Sequence, residues 1–396
     1  MPRPETIEAL QSLILEAGAS ERSLEIRGGG SKAGIGRPQP ADQLVDMGAF
    51  AGVVDYDPAE LVLTAGAATP LAEIEALLTQ KGQMLAFEPM DYGPLLSGGP
   101  SRATLGGVLA ANQSGPRRLI AGAARDHFLG FEAVSGRGEA FKGGGKVVKN
   151  VTGYDLPKLL AGSWGTLAAL TQVTVKVLPR PRSSISLVFK GLSDRDACAA
   201  MSRAVGSPSP VAAAAHLPAG LADACPGLAA EDDAATILRL EGVEPAIAAG
   251  VDRLRALLGD AKRLETGESA ALWRCLRDVE PFCPGERPVW RVSLPPADGW
   301  RLADALEDLE ARWFYDWAGG LIWLSVPSVP DAHAPRVREA AVRLGGHATL
   351  IRAPEATRAE VPVFQPEPTA LTALTARMRA AFDPNGVLAP RHRLGG

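Results

Sequence analysis

Along this chain the apolar positions alternate between two rhythms, one of about 3.6 residues and one of about 2. Ile7, Leu10, Leu13, Ile14 and Ala17 recur at helical spacing and predict an opening amphipathic helix. Ser23-Leu24-Glu25-Ile26-Arg27 alternates as a strand does and runs directly into Gly28-Gly29-Gly30-Ser31-Lys32. A further strand is predicted at 61–65. Pro70 then starts a helix whose Leu71, Ile74, Leu77 and Leu78 share one face, and Gly82 ends it. Strand rhythm returns at 128–134 and 171–178, where it stops at Pro179-Arg180-Pro181-Arg182. That proline-broken stretch marks a boundary, with a first domain over 1–180 and a second over 181–396.

Beyond the boundary, strands are predicted at 185–189, 236–240, 289–294, 321–324 and 348–352. Helical stretches lie between them at 243–258 and 301–312. This order suits an antiparallel sheet with helices on one side, an α+β domain. A last helix, carrying Leu371, Leu374, Met378 and Phe382, ends in the turn sequence Asp383-Pro384-Asn385-Gly386 and is expected to return to the first domain.

Composition narrows the possibilities. At 396 residues the chain is too long for one compact core, and with 46% hydrophobic and 22% charged residues it has a globular balance. The net charge of −4, without a run of like charges, offers no basic face for nucleic acid. The opening segment is amphipathic, unlike an apolar signal core, and no apolar run approaches a membrane span. A cytoplasmic protein is expected, at most peripheral on the inner face of a membrane through its partners. Cys198, Cys225, Cys275 and Cys283 form no CxxC pair, and the histidines form no HxH or HxxxH pair. No metal site is therefore expected.

The glycines carry the chemistry. Gly28-Gly29-Gly30-Ser31-Lys32 can turn several N–H groups toward one point, as a pyrophosphate requires, with Ser31 as a further donor and Lys32 as a charge. It is neither a GxxxxGK[ST] loop nor a GxGxxG fingerprint, and alone it is also compatible with a plain turn. A second cluster of small residues covers 103–115, and a third begins at Gly143-Gly144-Gly145-Lys146 and continues through Asn150-Val151-Thr152-Gly153 to Ala161-Gly162-Ser163-Trp164-Gly165. Close helix packing explains any one of them. Together they favour a long ligand with a phosphate-bearing middle.

The order RGGGSK, ATLGG, GSWGTL and a strand ending in Pro179 resembles the FAD-binding domain of the vanillyl-alcohol oxidase and p-cresol methylhydroxylase (PCMH) superfamily. The implied fold class is α+β, a two-subdomain PCMH-type FAD-binding domain followed by a smaller antiparallel-sheet α+β domain. On this pattern Gly28, Gly29, Gly30, Ser31 and Lys32 bind the FAD pyrophosphate. Thr104, Gly106, Gly107, Ala110 and Ser114 contact FAD from the second segment, and Leu170 from the strand entry. A narrower resemblance runs nearly end to end. SGPRRLIAGAARDHFLG, GGKVVKNVTGYDLPKLLAGSWGTL, the aromatic run 313–320, GGHATLIR and FDPNGVLAP are similar to the E subunits of bacterial glycolate oxidase. That family implies a D subunit, also flavin-binding, and an F subunit carrying iron–sulfur clusters. The chain departs from the pattern at Trp164, where the family often has glutamate, and at Ala389-Pro390-Arg391, where NPG often follows the turn.

The FAD is expected to be non-covalent. A tether in this superfamily uses His, Cys or occasionally Tyr near the flavin ring; before residue 183 there is no cysteine and His127 is the only histidine. Oxidising a 2-hydroxy acid needs a base near the hydroxyl and a cation near the carboxylate. Related D-2-hydroxy-acid dehydrogenases carry a metal-binding histidine motif in the second domain, which this sequence lacks. His347 is the most suggestive histidine, with Arg352 beyond Leu350 and sharing its face, although a strand-end hydrogen bond is the favoured account of His347. His127 is expected to support the fold. No catalytic residue is identified. Three readings stay open: a subunit of a glycolate-oxidising complex, a self-sufficient FAD oxidase or dehydrogenase of another hydroxy acid, alditol or lactone, and an assembly subunit with structural FAD.

Overall fold

The computed structural model describes residues 1–38, 40–97, 102–146, 153–228 and 233–388. Ala389-Pro390-Arg391 and the Asn150-Val151-Thr152 part of the third glycine cluster lie outside these residues.

The opening helix forms over Ile7–Ala19, begun by the Thr6 hydroxyl accepting the Ala9 N–H at 3.2 Å. Leu10, Ile14 and Ala17 are its buried stripe. It shares a core with strand Leu24–Arg27, which pairs in parallel with Gln43–Asp46. Leu24 is also bridged to Leu388, so the far end of the chain closes this small sheet. Asp383 fixes that return by accepting the N–H groups of Val387 and Leu388, each at 2.8 Å.

A second, antiparallel sheet of five strands runs in the order Val53–Asp57, Val62–Gly66, Ala168–Lys176, Phe128–Ser135, Ala140–Gly144. Helices Leu71–Gln80 and Leu105–Ala110 contribute Ile74, Leu78 and Val108 to its core. The helix Thr369–Phe382 lays the Phe382 ring 5.8 Å from Phe141 of this sheet. Its Leu371 and Leu374 stay 46% and 47% exposed, so its apolar stripe is only partly used.

From Ser183 onward the chain builds an eight-stranded sheet, the larger and not the smaller of the two main sheets. Helices Asp194–Val205, Glu244–Leu258 and Thr266–Arg277 pack against it. Three of its strands break the predicted pattern. Val211–Leu217 is mostly alanine, which carries little strand signal but is wholly buried here. Lys262–Leu264 is a short edge strand. Arg312–Asp316 occupies the end of the predicted 301–312 helix: the helix covers only Gly299–Asp304, and Glu310 at φ 45° turns the chain into the strand. The core of this sheet also takes in Ile35, Met90, Tyr92 and Leu95 from the N-terminal half. Cys225 and Cys275, remote in sequence, meet with their sulfurs 3.1 Å apart.

Candidate functional site

Where Leu24–Arg27 ends, the chain enters the glycine run, and the run forms one wall of a cleft. The cleft spans about 1020 Å3 of non-atom space, part of it open solvent. Gly28, Gly29, Gly30, Ser31, Lys32, Thr104, Gly106, Gly107, Ala110 and Leu170 all line it. Ser114 does not: it is buried and its hydroxyl accepts the Ala124 N–H at 2.9 Å.

Two backbone demands explain the glycines. Gly30 sits at φ +75°, where a side chain is strained. At Gly29, which carries no positive φ, a Cβ would lie 1.5 Å from the Arg102 carbonyl oxygen. The first glycine loop is thus pressed onto the start of the second segment, and that contact sets the shape of the cleft.

Among the described residues, none of the backbone N–H groups of Gly28, Gly29, Gly30, Ser31 and Lys32 is bonded to the protein. Partly buried N–H groups left open in a row suit an anion. Lys32 adds charge. Its ammonium lies 3.3 Å from the Ser31 hydroxyl, and a Cβ on Gly107 would be 3.5 Å from it. Burial lowers its pKa to about 8, against the pull of Asp91. On the facing wall the Thr104 hydroxyl accepts the Gly107 N–H at 3.3 Å, and the Gly106 N–H is taken by the Ala67 carbonyl at 2.8 Å. These groups shape the wall; the donors are those of the first loop. The set fits a pyrophosphate-bearing cofactor such as FAD.

Sequence reasoning missed part of the lining. Ala67, Ala68 and Ala168 continue the small-residue pattern and could have been found by it, whereas Glu25, Arg27 and Met47 carry no such signal. Trp164 lines the cleft at φ +55°, its N–H donating to the Ala110 carbonyl at 2.9 Å. Its ring stands edge-on to Phe364, 5.4 Å away, so it ties the cleft to the second half of the chain. Among the described residues none that lines the cleft is His, Cys or Tyr.

The other expected residues separate. His127 is buried, bonded through Nε2 to the Ala121 carbonyl at 2.8 Å, and is not in the cleft lining. Arg352 faces away from Leu350, because Ile351 is an extra residue in the strand: Leu350 opposes Trp290 and Arg352 opposes its neighbour Val289. Its guanidinium donates to the carbonyls of Arg287, Leu95 and Cys283 at 3.0, 3.3 and 3.4 Å. It ties loops together. His347 instead is exposed at the strand start, and partial desolvation of its ring, with Arg291 and Arg118 nearby, holds it below the usual histidine range. Both arginines lie against the Trp317 ring, Arg118 at 4.4 Å and Arg291 at 5.0 Å from its centre. Trp317 and Ala318 have φ of 51° and 55°, a strain of about 1–3 kcal/mol each that the surroundings must hold. The Trp317 Nε1–H donates to Gly115 at 3.0 Å and its backbone N–H to Asp316 at 2.7 Å. Burial pushes the Asp316 carboxyl up to about 7.

Beside this cluster a buried ion network joins the two halves. Glu88 accepts two bonds from Arg239, at 2.9 and 2.6 Å, and the Arg117 N–H at 3.1 Å, while the Arg117 side chain bonds Glu241. Burial alone would raise the Glu88 pKa, but Arg239 and Arg117 outweigh it and hold it down at about 2. Among the described residues no group of three His, Cys, Asp or Glu side chains could hold a metal ion, and no helix is long and apolar enough to cross a membrane.

Comparison with known proteins agrees with this geometry. Residues 2–144 match a family described as an FAD binding domain. Over 387 residues the chain is 35% identical to glycolate oxidase subunit GlcE of Escherichia coli, covering 97% of this chain and 96% of that one. It is 41% identical over 86 residues to glycolate oxidase subunit GlcD of Bacillus subtilis, covering 22% of this chain and 18% of the relative. The solved structure of p-cresol methylhydroxylase with substrate bound covers 99% of this chain and 88% of its own, with a TM-score of 0.72 at 13% identity, which shows a shared fold. The chain carries an FAD-binding domain of the PCMH type and belongs to the family of glycolate oxidase E subunits.

Proposed function

We propose that this chain is the FAD-holding subunit of a complex that oxidises glycolate to glyoxylate, assembled with a D-like flavin subunit and an F-like iron–sulfur subunit. The observation that carries the proposal is the row of open N–H groups beside Lys32, in a chain similar to GlcE over nearly its whole length. Gly28, Gly29, Gly30, Ser31 and Lys32 would hold the pyrophosphate, and Thr104, Gly106, Gly107, Ala110, Trp164 and Leu170 would shape the rest of the site. FAD, when bound, supplies a two-electron acceptor for a C–H bond beside a hydroxyl. The protein's part is to bind and orient the substrate and to keep water from it.

The chain divides into an FAD-binding domain over 1–180 and a substrate-side cap over 181–396, whose last helix returns to the first domain. The five-stranded sheet has a core of its own, and that of the eight-stranded sheet lies mostly beyond residue 180, with Ile35, Met90, Tyr92 and Leu95 added from the first domain, which supports that division. The complex works in the cytoplasm and reaches a membrane only through its partners. The cofactor is held without a covalent bond, in keeping with a cleft in which no described lining residue is His, Cys or Tyr. Acid precipitation of the purified protein is therefore expected to leave all FAD in the supernatant. Yellow colour in the pellet would contradict non-covalent binding. Co-purification with the tagged chain is expected to bring down a flavin-binding sister and a cluster-bearing protein; recovery of the chain alone, at full FAD content, would favour a self-sufficient enzyme.

A further inference from the structure

We infer that Arg118 and Arg291, both stacked on the Trp317 ring, form a binding site for the carboxylate of a small 2-hydroxy acid. The inference rests on the functional reading above and extends it to residues in this chain. The guanidinium carbons stand 4.4 and 5.0 Å from the centre of one indole ring. Among the described residues neither side chain donates a hydrogen bond or has a carboxylate within 4.0 Å. The contrast with the adjoining arginines is sharp, since Arg117 and Arg239 are both engaged by Glu88 and Glu241. Like charges close together at a partly buried site repel; Asp126 and Asp316 answer them only from beyond 4.0 Å, and an anion bound between the donors relieves that repulsion.

The site suits a planar anion. Each guanidinium presents a rigid donor fork matched to two carboxylate oxygens, and the indole supplies a flat wall. Trp317 is fixed for this by its Nε1–H bond to Gly115 and by the turn at positive φ. Arg118 opens the helix Arg118–Ala121, a short loop beyond Ala110 and Ala111 of the cofactor cleft. Arg291 is in strand Val289–Ser293, in register with Thr349 of the strand that starts at His347. His347, exposed at the start of that strand, has its pKa lowered by partial desolvation and by these two arginines, which favours the neutral ring that can accept a hydrogen bond from the hydroxyl of a bound acid.

The test uses the full chain with its FAD, kept anaerobic. Calorimetry and the flavin difference spectrum follow titration with glycolate, its neutral analogue glycolamide, and sulfate. Glycolate is expected to bind and glycolamide is not. Arg291→Gln and Arg118→Gln should each weaken glycolate binding by about 10- to 100-fold with FAD content unchanged, and Arg291→Lys should recover only part of the loss. Unchanged glycolate affinity in Arg118→Gln, on a short peripheral helix, would overturn the inference even if Arg291→Gln failed to fold. Equal binding of glycolamide, or sulfate binding as tightly as glycolate, would overturn it too. Purified wild-type chain without FAD would instead sink the functional reading.

Discussion

The glycine-lined cleft and the Arg118–Arg291 cluster draw on one stretch of chain, Ala110 to Arg118, yet they are built in opposite ways. The cleft is mostly backbone: its donors are N–H groups of consecutive residues, and its walls are glycine and alanine. The arginine cluster is made of side chains from a short helix, the strand next to the sheet edge, a strained turn and an edge strand, held around one indole. A site made of backbone depends on what a few positions lack, namely a Cβ. A site made of side chains depends on the docking of the two halves. Substitutions should therefore act locally and steeply in the first, and through the Glu88 network in the second.

The steepest effect is expected at Gly29. Valine there would drive its Cβ toward the Arg102 carbonyl, 1.5 Å away, and must displace one of the two loops that define the cleft. Gly29→Val should purify colourless. Losing a ligand held at 100 times its Kd also removes about 2.7 kcal/mol of apparent stability, so the variant should melt lower than wild type. Full flavin occupancy would show that the loop is not where the cofactor binds.

Glu88→Gln probes the joint. It leaves Arg239 and Arg117 short of a buried counter-charge, which is expected to destabilise the fold by on the order of 3 kcal/mol. The pH dependence has a definite sign. With a folded pKa of about 2, below its ordinary 4.5, Glu88 contributes stability that is fully present above pH 4.5 and lost as the pH falls toward 2. Thermal unfolding from pH 7 downward should fall less steeply in the variant across that window. Parallel curves would remove Glu88 from the account of how the halves are joined.

The same contrast governs what was legible in the sequence. The glycine loops could be read because close approach and positive φ are met locally by small residues, so Gly28 to Lys32 and Thr104 to Ala110 stand out as strings. The order of elements was legible where apolar rhythm was strong, and failed at Val211–Leu217, where alanine gives no rhythm, and at Glu310, where a turn at positive φ is made without glycine. Arg118 and Arg291 carry no signal, since their pairing exists only once the fold has brought Trp317 against both. Arg352 misled because a single bulge reverses its face.

Lys32→Met should have a smaller effect than Gly29→Val, because the N–H groups remain. Removing one charged donor is worth roughly 1.5–3 kcal/mol, or about 10- to 100-fold in FAD affinity. Burial has lowered the Lys32 pKa to about 8, so the free protein loses this charge as the pH rises through 8. Wild-type affinity, measured by equilibrium titration of apoprotein, should therefore decline above pH 8, and that of Lys32→Met should stay flat. A decline of equal size in both would assign the titration to another group.

Ser114 gives the smallest expected effect on the cofactor and the finest test of the boundary of the cleft. It lies in the same small-residue string as Gly106 and Ala110, and by pattern alone it belongs with them. The fold turns it inward, where its hydroxyl takes the otherwise unpaired Ala124 N–H. Ser114→Ala leaves that buried donor without an acceptor, which is expected to lower stability by about 1–3 kcal/mol. It removes nothing from the cleft wall, so FAD affinity should stay within about twofold of wild type, well below the tenfold that 1.4 kcal/mol represents. A variant that melts normally but releases FAD would place the hydroxyl on the cofactor and return Ser114 to the backbone-built site.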